Sequence, residues 1–283
     1  LWPTADFSVT SDGRTERDKT IFLCLIHRQG IVKFVQTIIL AIVFLLTIIA
    51  CFGDFTKEQP CSQPAENGVA ISFDDKMNII SWNESIPFLS EHEIIATFYV
   101  DRWDKLTDEE ISILHELQNL GHEIGIHTMN HSNYYDFKNA GGSPEDYLQI
   151  EVLPAIKIAE ELGFEISTFS YPNGARMAEI DEVLLEHFVT LRGTSIPTNG
   201  VQPWNTICED GNVFRALSPT VSDGRNVDKI VQTIVSSDNT ILIYAHGIET
   251  GALTVSFEVL EEIANAVNES DKSWLTMRQL AEP

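Results

Sequence analysis

From Gly68 onward the chain alternates short apolar runs with stretches whose apolar residues recur at helical spacing, and this alternation restricts the fold more than any other feature. Strands are expected at 69–73, 96–100, 123–126, 168–171, 189–191, 213–217 and 241–245, with a closing run at 274–277. Helices are expected between them at 107–120, 143–162, 180–187, 227–236 and 257–268. The first has a capping hydroxyl at Thr107, acids at Asp108, Glu109 and Glu110, and apolar residues at Ile111, Leu114, Leu117 and Leu120. Gly121 supplies its stop. Ser143-Pro144-Glu145 opens the second, and Gly163 ends it. Strands that alternate with helices pair in parallel, because a parallel neighbour is reached only through a crossover. At this length the sheet is closed or nearly so, a β/α barrel, with a doubly wound open sheet as the other arrangement. Both collect their chemistry at the C-terminal ends of the strands. No G-x-G-x-x-G or P-loop pattern is present, so neither version is expected to hold a nucleotide.

The residues at those strand ends are chemically distinctive. Ser72-Phe73-Asp74-Asp75 puts two carboxylates where the first apolar run stops. His127-Thr128-Met129-Asn130-His131 follows the third run and spaces two imidazoles at i and i+4, on one face if the segment is helical. Pro172 and His246 end two later runs. Two His and one Asp around a divalent cation leave a position open for water, which suits a catalytic site rather than a closed structural one. The other Asp is then free to act as a base on that water. The same ligand set forms the facial triad of non-haem iron oxygenases; the second Asp and the strand–helix alternation favour hydrolysis. No CxxC pattern offers sulfur ligands.

Residues 68–283 resemble the polysaccharide deacetylases with a NodB-homology domain, carbohydrate esterase family 4, through motifs that occur in the family's order. Asp74-Asp75 resembles the first motif, which implies Asp74 as catalytic base and Asp75 as metal ligand. The segment from His127 to His131 matches the second, H-[S/T]-x-x-H, which supplies the other two ligands. Phe169-Ser170-Tyr171-Pro172-Asn173-Gly174 stands where the third lies, so Tyr171, Pro172 and Asn173 are expected at the substrate groove, with the Asn173 N–H facing the oxyanion. Trp204 is expected to give an aromatic wall. The run from Ile241 to His246 resembles the last motif, which makes His246 the general acid. Two departures stand out. Ser170 occupies the place of an Arg that orients the base, so Arg176 or Arg192 is needed instead, and Arg192, at a strand end, is better placed. Tyr244 stands where a Leu lines the acetyl pocket. The resemblance implies a distorted, seven-stranded (β/α) barrel and a divalent metal, Zn²⁺ first, with Co²⁺, Ni²⁺ or Mn²⁺ as alternatives. It also implies removal of acetyl groups, N- or O-linked, from peptidoglycan, chitin-like oligomers or xylan. The alternative on the same fold is a non-catalytic, envelope-tethered glycan-binding protein. Tyr134 and Tyr135 either line a sugar groove or simply pack; His92, His115, His122 and His187 read as structural or solvated.

The 283 residues carry a formal net charge of −24, which argues against nucleic acid and anionic membrane surfaces as electrostatic partners. A neutral polymer fits that charge. The N-terminal region differs from the rest. Lys33 precedes a mostly apolar run over 37–52 that contains Ile48-Ile49-Ala50-Cys51. This resembles a bacterial lipoprotein signal with Cys51 as the lipidated residue, or else an uncleaved anchor. The expected organisation is a non-native upstream extension at 1–31, signal or anchor at 32–51, linker at 52–67 and catalytic domain at 68–283. The protein would then face outward from the cell envelope, tethered to the membrane, with secretion as the alternative. Cys24 lies in the upstream segment, and Cys61 and Cys208 are either unpaired or bridged in an oxidising compartment.

Overall fold

The computed structural model describes residues 67–194, 208–209, 213–216, 225–238, 240–251 and 253–281. The proposed signal and most of the linker, with Cys24, Cys51, Cys61 and Trp204, lie outside the described residues, as does the Cys208 side chain. Among the described residues no helix is long and apolar enough to cross a membrane.

Among the described residues nine strands form one sheet: β1 (Gly68–Asp74), β2 (Thr97–Val100), β3 (Glu123–Ile126), β4 (Thr168–Ser170), β5 (Thr190–Thr194), β6 (Cys208–Glu209), β7 (Val213–Ala216), β8 (Ile241–Ala245) and β9 (Ser273–Leu275). Seven of them run parallel in the order β7-β5-β4-β3-β2-β1-β8. The two ends of that row, β7 and β8, lie against each other, so the barrel is nearly closed. Antiparallel β6 extends one edge and β9 pairs with the start of β1. Every residue of β1 is buried, as a parallel strand covered on both faces requires, and apart from Ser72 and the terminal Asp74 its sequence is apolar or glycine.

Helices surround the barrel: α1 (Ile79–Glu91), α2 (Asp108–Asn119), α3 (Tyr134–Asn139), α4 (Pro144–Tyr147), α5 (Leu153–Glu161), α6 (Ala178–Leu185), α7 (Arg225–Ser236) and α8 (Phe257–Asn268). α2 starts with the anticipated cap: the Glu110 N–H donates to the Thr107 hydroxyl (3.2 Å) and the Thr107 N–H to the Glu110 carboxylate (2.7 Å). α1 has no counterpart among the expected helices. Its weak amphipathicity and internal Pro87 hide it, but Trp82 anchors it against Phe98, with ring centroids 5.0 Å apart. The helix expected at 143–162 is instead α4, a π-helical turn (Leu148–Val152) and α5. Pro154 has no N–H for the preceding turn, and the Leu153 N–H reaches back five residues to the Leu148 carbonyl.

The core has two layers. The larger lies between sheet and helices and includes Phe73, Trp82, Phe98, Ile126 and Phe169. The smaller fills the barrel with Ala70, Tyr99, Phe214, Leu242, Leu275 and Met277. Gly125 makes this inner layer possible: a Cβ there would lie 2.5 Å from the Tyr99 ring. The floor is closed by buried Glu123, whose carboxyl accepts from Thr97 (2.9 Å), Thr168 (2.9 Å) and the Arg278 N–H (3.0 Å). The rim at the other end, where the strands finish, is left for chemistry.

Candidate metal centre and active site

Two strand ends deliver the central group. Asp75 follows β1, His127 follows β3, and His131 lies four residues further along the same loop. One ligand atom from each lies within 4.8 Å of the others. Asp75 Oδ1 is 3.2 Å from His131 Nε2 and 3.5 Å from His127 Nε2; His246, just after β8, places Nε2 3.8 Å from Asp75 Oδ2. The helical arrangement considered for 127–131 does not occur. The segment is a loop in which Thr128 (φ 71°) and His131 (φ 57°) occupy the left-handed region, and Asp75 (φ 76°) does so as well. Each such residue costs roughly 1–3 kcal/mol and persists only where surrounding contacts enforce it.

The donor set fits a cation. His127 Nδ1 lies 2.8 Å from the Ser170 carbonyl, which can only accept, so the ring's proton sits on Nδ1 and Nε2 presents a lone pair. That lone pair faces a carboxylate oxygen, Asp75 Oδ1, which is itself buried without a hydrogen-bond partner among the described residues. Two acceptors converging with no proton between them require a positive charge. Burial holds the His127 ring below the ordinary imidazole range, against the pull of Asp74 and Asp75. Contact with Asp75 raises His131 despite partial burial. Burial pushes Asp75 up, but His131, His127 and His246 outweigh it and bring the group down to about 2. The carboxylate is therefore charged at neutral pH.

Asp74 is 3% exposed and receives a hydrogen bond from Arg192 Nη2. Arg192 is inside β5 rather than at a strand end, because β5 runs on to Thr194. It is fully buried between the rings of Tyr99 and Tyr244, each centroid 5.2 Å from Cζ, an arrangement that suits a planar cation. Arg176 turns elsewhere, donating to Asp181 (2.7 Å). Ser170 and Arg192 are register partners on β4 and β5, so the guanidinium enters from the neighbouring strand at the level where the family motif carries its own Arg.

The third motif is placed in part. Pro172 and Asn173 form a tight turn beyond β4, with Asn173 (φ 57°) and Gly174 (φ 63°) left-handed. Only glycine fits at 174, where a Cβ would lie 1.9 Å from Thr194 Oγ1. Tyr171 is a correction: its side chain is 1% exposed and its hydroxyl donates to Asp181, so it packs in the core instead of lining a groove. Tyr134 is likewise buried, bonded to Glu179 (2.7 Å), whereas Tyr135 is exposed. His92 packs at a tilt against Phe88 and His115 stacks on Phe164. His122 is buried against the edge of Phe98 and accepts the Ala96 N–H at 3.2 Å.

Two buried carboxyl groups that bond the ligand-bearing segments escaped the sequence reading. Asp101, just past β2, accepts the Lys76 N–H at 2.7 Å and so fixes the turn that carries Asp75. Its signal was available: like Asp74, it is an acid at the end of an apolar run. Glu151, 3% exposed, bonds the loop of His127 and His131 from a helical segment, and no local pattern announces it.

Residues 62–190 match the family model described as polysaccharide deacetylase. No curated protein matches the sequence. Among solved structures, a family 4 acetyl xylan esterase from Clostridium thermocellum, in complex with a cobalt ion, superposes with TM-score 0.51 at 18% identity, over 75% of this chain and 89% of that one. A peptidoglycan deacetylase from Bacillus subtilis gives TM-score 0.51 at 17% identity, over 78% and 92%. A CE4 family pseudoenzyme from Bacillus anthracis gives 0.53 at 14%, over 78% and 67%. The described residues thus have the barrel fold of the carbohydrate esterase family 4 proteins, and residues 62–190 carry the polysaccharide deacetylase match.

Proposed function

We propose that this chain is a metal-dependent polysaccharide deacetylase that hydrolyses acetyl groups from an envelope or imported glycan. The observation that carries the reading is the convergence of Asp75 Oδ1 and the two imidazole Nε2 atoms, with the His127 Nε2 lone pair turned to the carboxylate, beside an Arg-bound Asp74 and a third imidazole. Asp75, His127 and His131 would hold the cation, Zn²⁺ first. When bound, it supplies Lewis acidity to a carbonyl and acidity to a water. Asp74, oriented by Arg192, takes the proton of the attacking water. The turn at Pro172 and Asn173 offers a backbone N–H to the developing oxyanion. His246 gives a proton to the leaving amine or alcohol. The products are acetate and a deacetylated sugar. Tyr244 would narrow the acetyl pocket, although part of its ring is committed to Arg192.

Peptidoglycan, chitin-like oligomers and acetyl-xylan are the candidate substrates. Location favours the first if residues 32–51 are the lipoprotein signal that their sequence resembles, with Cys51 lipidated and the domain from residue 68 tethered outside the cytoplasm. Intact mass of the natively expressed protein tests this, and retention of residues 1–31 would refute it.

Acetate release from N-acetylglucosamine oligomers, peptidoglycan and acetyl-xylan tests the activity, with added Zn²⁺ or chelator. Release should require metal and should vanish in Asp74→Asn. A metal-loaded protein that releases nothing from any of them would favour the glycan-binding alternative, a possibility kept in view by the pseudoenzyme on the same fold.

A further inference from the structure

We infer that Glu151 is a positioning residue for the metal centre, a buried template that holds the loop bearing His127 and His131 in its left-handed conformation. It rests on the reading of Asp75, His127 and His131 as ligands. That loop must bring a second imidazole beside the first while passing through two left-handed residues that are not glycine, Thr128 and His131. Left alone, such a segment relaxes to commoner backbone angles and carries His131 away from Asp75.

The contacts that oppose this come almost entirely from one short stretch. The Met129 N–H donates to the Glu151 carbonyl (2.7 Å), the Asn130 N–H to Glu151 Oε2 (2.8 Å), and Asn130 Nδ2 and Ser132 Oγ both to Glu151 Oε1 (3.0 and 2.8 Å). One turn earlier, the Tyr147 hydroxyl donates to the Ser132 carbonyl (2.7 Å). These bonds bracket His131 on both sides, while neither Glu151 nor Tyr147 touches the ligand group itself.

The π-helical turn is the means by which one residue offers its carbonyl and its carboxyl to the same loop. Leu148–Val152 is wider than an α-helix, and Glu151 stands within it, 3% exposed. π-turns concentrate at functional sites, and here the widened turn faces the loop. A carboxyl buried to this degree for structural reasons alone would more economically be replaced by an apolar side chain. What the apolar residue could not do is accept three hydrogen bonds from a loop that has no regular structure of its own.

The test is a Co²⁺ titration of the full chain, with the visible absorption of bound Co²⁺ as the signal and thermal unfolding without metal alongside. Glu151→Gln keeps the shape but can no longer accept at both oxygens. It should weaken Co²⁺ binding about 10- to 100-fold, the usual effect of losing a group that orients a ligand. The band should also shift, with the metal-free unfolding midpoint close to wild type. Ser132→Ala, on the loop side and safe for folding, should weaken binding several-fold in the same direction. Wild-type affinity in both variants, or a fall in metal-free stability with affinity unchanged, would overturn the assignment. Failure of the wild-type chain to bind Co²⁺ would overturn the metal centre itself and this assignment with it.

Discussion

Arg192 and Asp74 form a fully buried ion pair, and removing one partner should reveal how strongly the pair is coupled. In Arg192→Met the stem still packs between Tyr99 and Tyr244, so the loss comes from the guanidinium and not from a cavity. Asp74, 3% exposed, is left as a buried carboxylate without its cation. Breaking a buried pair this way costs about 3–5 kcal/mol. For a domain of this size that corresponds to a fall in Tm of roughly 6–20 °C, at about 2–4 °C per kcal/mol. Asp74→Asn alone should also destabilise, since the guanidinium then faces a neutral amide. The double variant should recover about 2–3 kcal/mol relative to the sum of the single losses, the coupling expected of groups in direct contact. Urea denaturation followed by far-UV circular dichroism measures all four proteins, with equal m values required before stabilities are compared. Arg192→Lys should recover only part, because an ammonium cannot lie flat between two rings. A loss below about 1 kcal/mol in Arg192→Met, or single losses that add to within about 0.5 kcal/mol, would refute the reasoning.

Other perturbations probe separate parts of the molecule. Burial takes His122 from 6.5 down to about 4, so its neutral form contributes stability that is complete above pH 6.5 and is lost as pH falls through 4. That difference is worth about 3 kcal/mol, and in urea titrations His122→Gln should lose about that much less than wild type between pH 7 and 4. Gly174→Ala forces a side chain into a left-handed residue against Thr194 and should cost more than about 1 kcal/mol, with acetate release reduced through the Asn173 turn. Thr107→Ala removes one half of the α2 capping box and should cost about 1 kcal/mol without changing Co²⁺ affinity, as calorimetry and titration would show.

Much of this architecture is legible in the sequence, and the exceptions have physical reasons. The strands are readable because a parallel strand buried on both faces is mostly apolar, as β1 and β8 are, with Ser72 and the terminal Asp74 the exceptions in β1. The position of the candidate site follows, since Asp74-Asp75, His127 and His246 each stand where such a run stops. α1 was missed although Ile79, Trp82, Ile86 and Leu89 lie at helical spacing, because the exposed Ile80 and the internal Pro87 blur that stripe. The helix expected at 143–162 runs without a break from Pro144 to Glu161, but no sequence signal announced the π turn within it, just before Pro154 with its missing N–H. The exposure of Tyr171 was misjudged because sequence places a residue at a strand end without saying which way it turns. There, an acid ten residues later, Asp181, draws the hydroxyl inward. Glu151 was invisible for a deeper reason. Its partners lie about twenty residues back in a loop, and only the π-turn brings the two together.

The position of Arg192 bears on how motifs should be read in a barrel of this kind. A motif is a statement about one strand, whereas the chemistry needs a group at one height on the barrel's inner wall. Parallel strands in register share such heights, and Ser170 and Arg192 are partners in that sense. A guanidinium is long enough to reach Asp74 from either strand. Two of them at one level would bury a second positive charge with no carboxylate to match it. The small residue at 170 and the Arg at 192 are therefore halves of one arrangement: Ser170 keeps the layer from being overfilled, and its carbonyl remains free to fix His127. Read strand by strand, the third motif looks incomplete, as a decayed enzyme's would. At the level of the barrel layer the cation is present, buried and bonded to the acid that needs it.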